Sequence, residues 1–197
     1  MEALRLFVAL ELPPEVRAVL VAGQQNLATQ QLAIRWADPA GAHLTLKFLG
    51  SVASTEVDAV TVAMQQGASG HASFTLQTTG LGAFPNLRQP RVVWLGLDGA
   101  LQMLHSLQQD IERWIAPLGY PAEQHPFNPH LTLGRTQKDA TTIQRTAIGR
   151  AVQQASALTQ ATWTVDSVSL MRSTLRPQGP IYTQVARQAL TGDRPLL

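Results

Sequence analysis

The chain has no cysteine, which excludes disulfides and thiolate metal sites. Lysine is nearly absent too: Lys47 and Lys138 are the only two, and the remaining basic residues are arginine. Arginine's planar fork of donors suits phosphate, but a GC-rich genome produces the same bias and is the simpler explanation. No run approaches the roughly 18 to 20 consecutive apolar residues that a membrane helix requires. The apolar stretch Leu6–Leu10 is too short for a secretory leader, Glu11 interrupts it, and no small-residue cleavage site follows. It reads as a buried strand, and a cytoplasmic protein is expected. Low-complexity tracts and long linkers are also missing. The 197 residues therefore predict one domain over 1–197, built as two small lobes sharing a core. The formal net charge is only +2, which makes no strong case for nucleic acid.

What is present is an alternation of short strands and helices. Arg5–Leu10 reads as a strand, stopped by Pro13 and Pro14, which suit the start of a helix. Val16, Val19, Leu20 and Leu27 then recur at helical spacing over Glu15–Gln30. Ile34–Ala37 and Ala42–Leu49 read as strands around the turn Asp38-Pro39-Ala40-Gly41. A helix starts at Ser54 or Thr55 and runs to Gln66. Phe74–Thr78 and Val92–Leu97 are strands joined by a loop, Gly80–Pro90, rich in Gly and Pro. Leu101, Leu104, Leu107, Ile111 and Ile115 form an apolar stripe at spacings of three and four, a helix signal. A Pro-rich loop leads to the strand His130–Leu133. Thr141–Ala157 suits a helix, Trp163–Met171 and Ile181–Val185 suit strands, and a turn spans Arg176–Pro180.

One internal echo carries chemistry. The tetrapeptide His-Leu-Thr-Leu begins at position 43 and again at 130, a separation too long for a solenoid period and suited to a duplicated half-domain. Side chains alternate along a strand, so His43 shares a face with Thr45 while Leu44 and Leu46 turn to apolar packing. The same holds for His130 and Thr132 against Leu131 and Leu133. If the two strands face each other across a groove, two imidazoles and two hydroxyls converge, a receptor for a tetrahedral phosphoryl group. Opening a cyclic phosphodiester needs a base to deprotonate water and an acid to protonate the leaving ribose oxygen. Imidazole serves either task, with an unperturbed pKa of about 6.5. Threonine hydroxyls bind the nonbridging oxygens. Arg135 falls on the leucine face by alternation, although a twisted strand end would let its fork reach phosphate.

Two rival readings exist. One takes the strands as amphipathic elements whose His and Thr face solvent, but two identical copies in matching contexts argue against that. A metal site would draw on His125, His130 and Glu123, yet Pro126 and Pro129 prevent a helical ligand face, so no metal is expected. His71 and His105 have no companion residues in sequence and read as surface or core histidines. Phe48, Phe84, Trp36 and Tyr182 are aromatic candidates for stacking on a base, against the plainer reading that aromatics beside strands belong to the core.

The segments RLFVALELP, RWADPAGAHLTLKFLG, FPNLRQPRVVWLGL, HPFNPHLTLGR and SVSLMRSTLRPQGPIYTQV together resemble the two-histidine (2H) phosphoesterase superfamily, defined by paired His-x-Thr-x motifs. Within it the chain is similar to the bacterial and archaeal RNA 2′,3′-cyclic phosphodiesterases, also called 2′-5′ RNA ligases. The resemblance implies an α+β fold, bilobal and pseudo-twofold symmetric, with two antiparallel sheets lining a central groove, helices outside, and one motif from each lobe. It implies no metal and no cofactor, with RNA bearing 2′,3′-cyclic phosphate ends as the partner. It also implies His43 as proton donor, His130 as proton acceptor, a 2′-phosphate product, and Tyr182 near the groove by its spacing from Gly179. Ligation by the reverse reaction and a nonenzymatic nucleotide-binding module are the alternatives. Retention of both histidines disfavours the second.

Overall fold

The apolar stripes and alternating runs assemble into nine strands and four α-helices among the described residues. The computed structural model describes residues 2–155, 158–176 and 179–192. The elements are β1 (Ala3–Glu11), α1 (Pro14–Ala28), β2 (Ile34–Trp36), β3 (His43–Ala53), α2 (Val57–Ala68), β4 (Phe74–Phe84) and β5 (Val92–Gly99). There follow α3 (Leu101–Ile115), β6 (His130–Thr136), α4 (Thr142–Gln154), β7 (Thr162–Val165), β8 (Ser167–Thr174) and β9 (Ile181–Ala189). All pairings between these strands are antiparallel. One sheet has the order β3-β1-β8-β9 and the other β2-β6-β5-β4-β7. The fold is therefore α+β, with two antiparallel sheets.

Local chemistry accounts for the helix ends. Pro14 occupies the first position of α1, where its missing N–H costs nothing. Thr141 and Gln144 exchange side-chain and backbone hydrogen bonds in a capping box that starts α4. Crossover then decides the packing. α1 leaves the first sheet after β1 but packs behind β6 and β4 of the second, and α3 leaves the second sheet after β5 but packs behind β3. α2 lies against α3, β8 and β9, and α4 against β4. Each motif strand is thus backed by a helix from the other half of the chain. The leucines of both motifs, Leu44, Leu46, Leu131 and Leu133, are buried in one continuous apolar core.

Two expectations fail, each for a tertiary reason. Gly80–Pro90 is not all loop, because β4 continues to Phe84 after a register shift between Thr78 and Leu81. Gly82 there serves close approach rather than a turn: a Cβ would lie 2.2 Å from the Trp94 ring. Trp163–Met171 is not one strand but two, since the chain leaves the second sheet after Val165 and enters the first at Ser167. Apolar periodicity reports burial and not the pairing partner, so it cannot show this switch. The turn Arg176–Pro180 and the predicted end of the last helix at Ala157 lie partly outside the described residues.

Lys47, the residue after the first motif, is 1 % exposed. Its ammonium donates to Glu112 Oε2 of α3 at 2.5 Å and to the Pro121 carbonyl at 2.8 Å, tying the first motif strand to the loop that leads into His130. Breaking a buried pair strands the remaining charge, so Lys47→Met should lower unfolding stability by about 3–5 kcal/mol. Replacing Glu112 by Leu in the same chain should recover most of that loss, as read by urea unfolding.

Candidate active site

His43 opens β3 and His130 opens β6, the strands that approach each other where the two sheets meet. The two imidazoles are oriented in the same way. His43 Nδ1 lies 2.8 Å from the carbonyl of Gly41, and His130 Nδ1 lies 2.7 Å from the carbonyl of Asn128, in each case two residues earlier. A carbonyl only accepts, so Nδ1 must carry the proton. Nε2 is then the free lone pair of the neutral ring, or the second N–H of the cation.

Aromatic rings hold the imidazoles from the side. His43 stacks on Phe7 at 4.5 Å between centroids and meets Tyr182 edge-on at 4.9 Å. Tyr182 also meets Phe7 edge-on and presses on the Gly41 backbone, where a Cβ would sit 2.8 Å from its ring. Phe7, Ala9, Met171 and Tyr182 form a small apolar cluster separate from the main core. His130 meets Phe84 edge-on at 4.9 Å. Burial disfavours the charged imidazole and pushes both histidines below the usual 6.5, partly offset by the Gly41 and Asn128 carbonyls. The Arg135 guanidinium lowers His130 further.

Arg135 pairs with Val92 on the face that carries Thr132 and Trp94, so it stands on the groove side rather than the leucine face, where its charge acts on both His130 and Tyr182. The cause is a β-bulge. The ladder between β5 and β6 pairs Trp94 with Thr132 and Val93 with Gly134, leaving Leu133 without a partner across from it. One extra residue reverses the alternation beyond it. β3 does the same: Ala9 pairs with Thr45 and Val8 with Lys47, leaving Leu46 bulged. Phe48 therefore joins His43 and Thr45 on the groove side, 60 % exposed and 6.2 Å from Phe7.

Thr45 and Thr132 are half-buried beside their histidines. Phe84 and Trp36 are also half-buried; Phe84 lies 5.1 Å from Trp94, and Trp36 packs against the core. The groove also contains residues that the sequence pattern does not single out, among them Phe7 beneath His43 and Arg5, which acts on Tyr182 as Arg135 does. Their i, i+2 spacing in RLFVAL was the available signal. His71 has a companion after all, Asp110 of α3 at 2.9 Å, and His105 is held by the Leu101 carbonyl and the Phe127 ring. Among the described residues no three His, Cys, Asp or Glu side chains gather in a way that could hold a metal ion, and no helix is long and apolar enough to cross a membrane.

These directions predict that both histidines titrate below the ordinary imidazole value in the free protein, followed by NMR. Removing a neighbouring cation relieves the bias against the imidazolium. Arg135→Ala should therefore raise the His130 pKa, with little change at His43.

Known proteins carry the same frame. The family model of the 2′-5′ RNA ligase superfamily matches residues 13–176. The RNA 2′,3′-cyclic phosphodiesterase of Thermus thermophilus is 32 % identical over 197 aligned residues, 96 % of this chain and 92 % of that protein. The enzyme of the same name from Methanothermobacter thermautotrophicus is 29 % identical, covering 92 % of this chain and 96 % of its own. Among solved structures, a Thermus thermophilus protein superposes with a TM-score of 0.79 at 30 % identity, over 96 % of this chain and all of that one. Escherichia coli LigT in complex with 3′-AMP superposes with a TM-score of 0.77 at 28 % identity, over 96 % of this chain and 99 % of LigT. The chain thus belongs to the 2′-5′ RNA ligase superfamily.

Proposed function

We propose that the protein hydrolyses 2′,3′-cyclic phosphate ends of RNA to 2′-phosphomonoesters, with His43 as acid and His130 as base. The observation that carries this reading is the pair of imidazoles whose Nδ1 atoms are both engaged by carbonyls, leaving Nε2 of each for the substrate. His130 Nε2 takes a proton from water as its oxygen attacks phosphorus. The bond from phosphorus to O3′ breaks, and His43 Nε2–H protonates the departing O3′. Thr45, Thr132 and Arg135 bind the nonbridging oxygens while phosphorus is pentacoordinate. Arg135 also favours the neutral form of His130, as a base requires. His43, buried and lowered, is charged for its task by the phosphate anion itself, since a nearby anion favours the imidazolium. Phe48 offers an exposed face for a base, and Tyr182 flanks it across Phe7. Arg5 and Arg135 make the groove cationic although the chain's net charge is small. On this reading the protein works on RNA ends in the cytoplasm, the location expected from its sequence.

The test is an EDTA-treated assay on an oligonucleotide ending in a 2′,3′-cyclic phosphate. Activity should survive chelation, because protein groups supply the proton transfers and charge stabilisation a metal would otherwise give. His43→Ala and His130→Ala should each lower turnover by at least about 100-fold, and together little further. A much better leaving group at O3′ should rescue His43→Ala and scarcely help His130→Ala. Phosphorus NMR should find a 2′-phosphate; a 3′-phosphate would reverse the acid and base assignments.

The pH dependence follows from the same directions. One histidine must be charged and the other neutral, so kcat/KM should be bell-shaped. With both groups lowered in the free protein, its maximum should fall on the acid side of 6.5. The bound phosphate anion raises the imidazolium's pKa, so the kcat profile should lie at higher pH. Its limbs are macroscopic values of the coupled pair.

A further inference from the structure

At the bulge that turns Arg135 into the groove, the Leu133 carbonyl faces the β2 side, where a side chain from the first half of the chain joins the backbone in holding it. Gln24 of α1 donates one amide hydrogen to the Leu133 carbonyl at 2.9 Å and the other to the Ala37 carbonyl at 2.7 Å. The Ala37 N–H in turn donates to the Leu133 carbonyl at 2.9 Å. Both N–H bonds of the amide are used. The three groups close a small ring between the bulge and the segment that runs from Ala37 to His43.

The first motif has a counterpart with the weight distributed differently. Gln108 of α3 reaches the carbonyl of the bulged Leu46 at a long 3.4 Å, and the Lys47–Glu112 pair is the main tie. In the second motif Gly134 stands where Lys47 stands in the first. A side chain there would strike Ile34 at 2.6 Å and the Arg35 carbonyl at 2.9 Å. No ammonium can hold this bulge, and Gln24 is the side chain that does.

We propose that Gln24 is a positioning residue of the reaction: by fixing the Leu133 bulge it holds the β6 register that points Arg135 at the phosphate. The proposal rests on the phosphate role of Arg135 argued above. A misplaced contact of about 1 Å can cost on the order of 100-fold in rate, so the effect should be visible in kinetics and not only in stability.

The experiment compares wild type, Gln24→Met, Arg135→Ala and the double variant on the cyclic-phosphate oligonucleotide, with His130 titration followed by NMR in each. Gln24→Met keeps the side chain's length and loses both donors. It should lower kcat/KM by about 10-fold or more and raise the His130 pKa as Arg135→Ala does. On the Arg135→Ala background it should add little to either, since residues acting through one contact are non-additive. Gln24→Lys restores donors for both carbonyls and should recover much of the activity. Should Gln24→Met fail to fold, Gln24→Asn, an amide one carbon short, carries the same expectation. A His130 titration unmoved by Gln24 substitution, or equal losses in both backgrounds, would overturn the proposal. A catalytically neutral Arg135→Ala would instead overturn the phosphate role, while the titration still reports whether Gln24 aims that side chain.

Discussion

Two single-residue slips in the strand ladders, at Leu46 and Leu133, are the constraint on which the groove depends. A regular strand has a period of two, so a motif that buries its leucines must present everything at odd spacing from the histidine to the core. The bulge breaks that rule once per motif. It keeps Leu44, Leu46, Leu131 and Leu133 inside and returns the fifth residue after each histidine to the groove. In one lobe that residue is Phe48 and in the other Arg135. Without the slips Phe48 and Arg135 would turn toward the core, and the groove would lose an exposed ring and the cation beside His130.

The repeated tetrapeptide supplies the two histidines of the proposed acid–base pair, and the departures from symmetry distinguish their surroundings. Across the ladder from Thr45 stands Ala9, and across from Thr132 stands Trp94. Glu11 faces His43, whereas Gly96 faces His130. Glu11 is engaged by Ser169 and Gln184, so the first lobe's floor is polar at that end. The second lobe's floor is covered by an indole lying over Gly82. A cyclic phosphate is nearly symmetric in its two ester oxygens, so discrimination between them must come from such unequal walls. Arg135 beside His130 adds an electrostatic difference that the paired tetrapeptides do not contain.

Crossed helices make the two halves one mechanical unit. Because α1 backs β6 and α3 backs β3, each motif strand rests on a helix from the other half. Lys47 and Gln24 then tie each bulge region to a segment leading into the opposite histidine, through Pro121 and Ala37. This arrangement lets two histidines far apart in sequence keep a common geometry.

Much was legible without coordinates. The repeated His-Leu-Thr-Leu specified both catalytic candidates and their threonines, because strand alternation is local. The stripe from Leu101 to Ile115 specified α3, because helical spacing is local as well. What tertiary structure alone decided concerns register and partner. Arg135 reaches the groove through a bulge that exists only in the pairing with β5, and no property of Leu133 as a residue announces it. Trp163–Met171 divides between two sheets because its apolar residues meet different neighbours on either side of Asp166. Phe7 and Arg5 became groove residues only when β1 was placed between β3 and β8. Periodicity encodes which side chains are buried. The pairing energy that selects one neighbour and one register belongs to the folded chain as a whole.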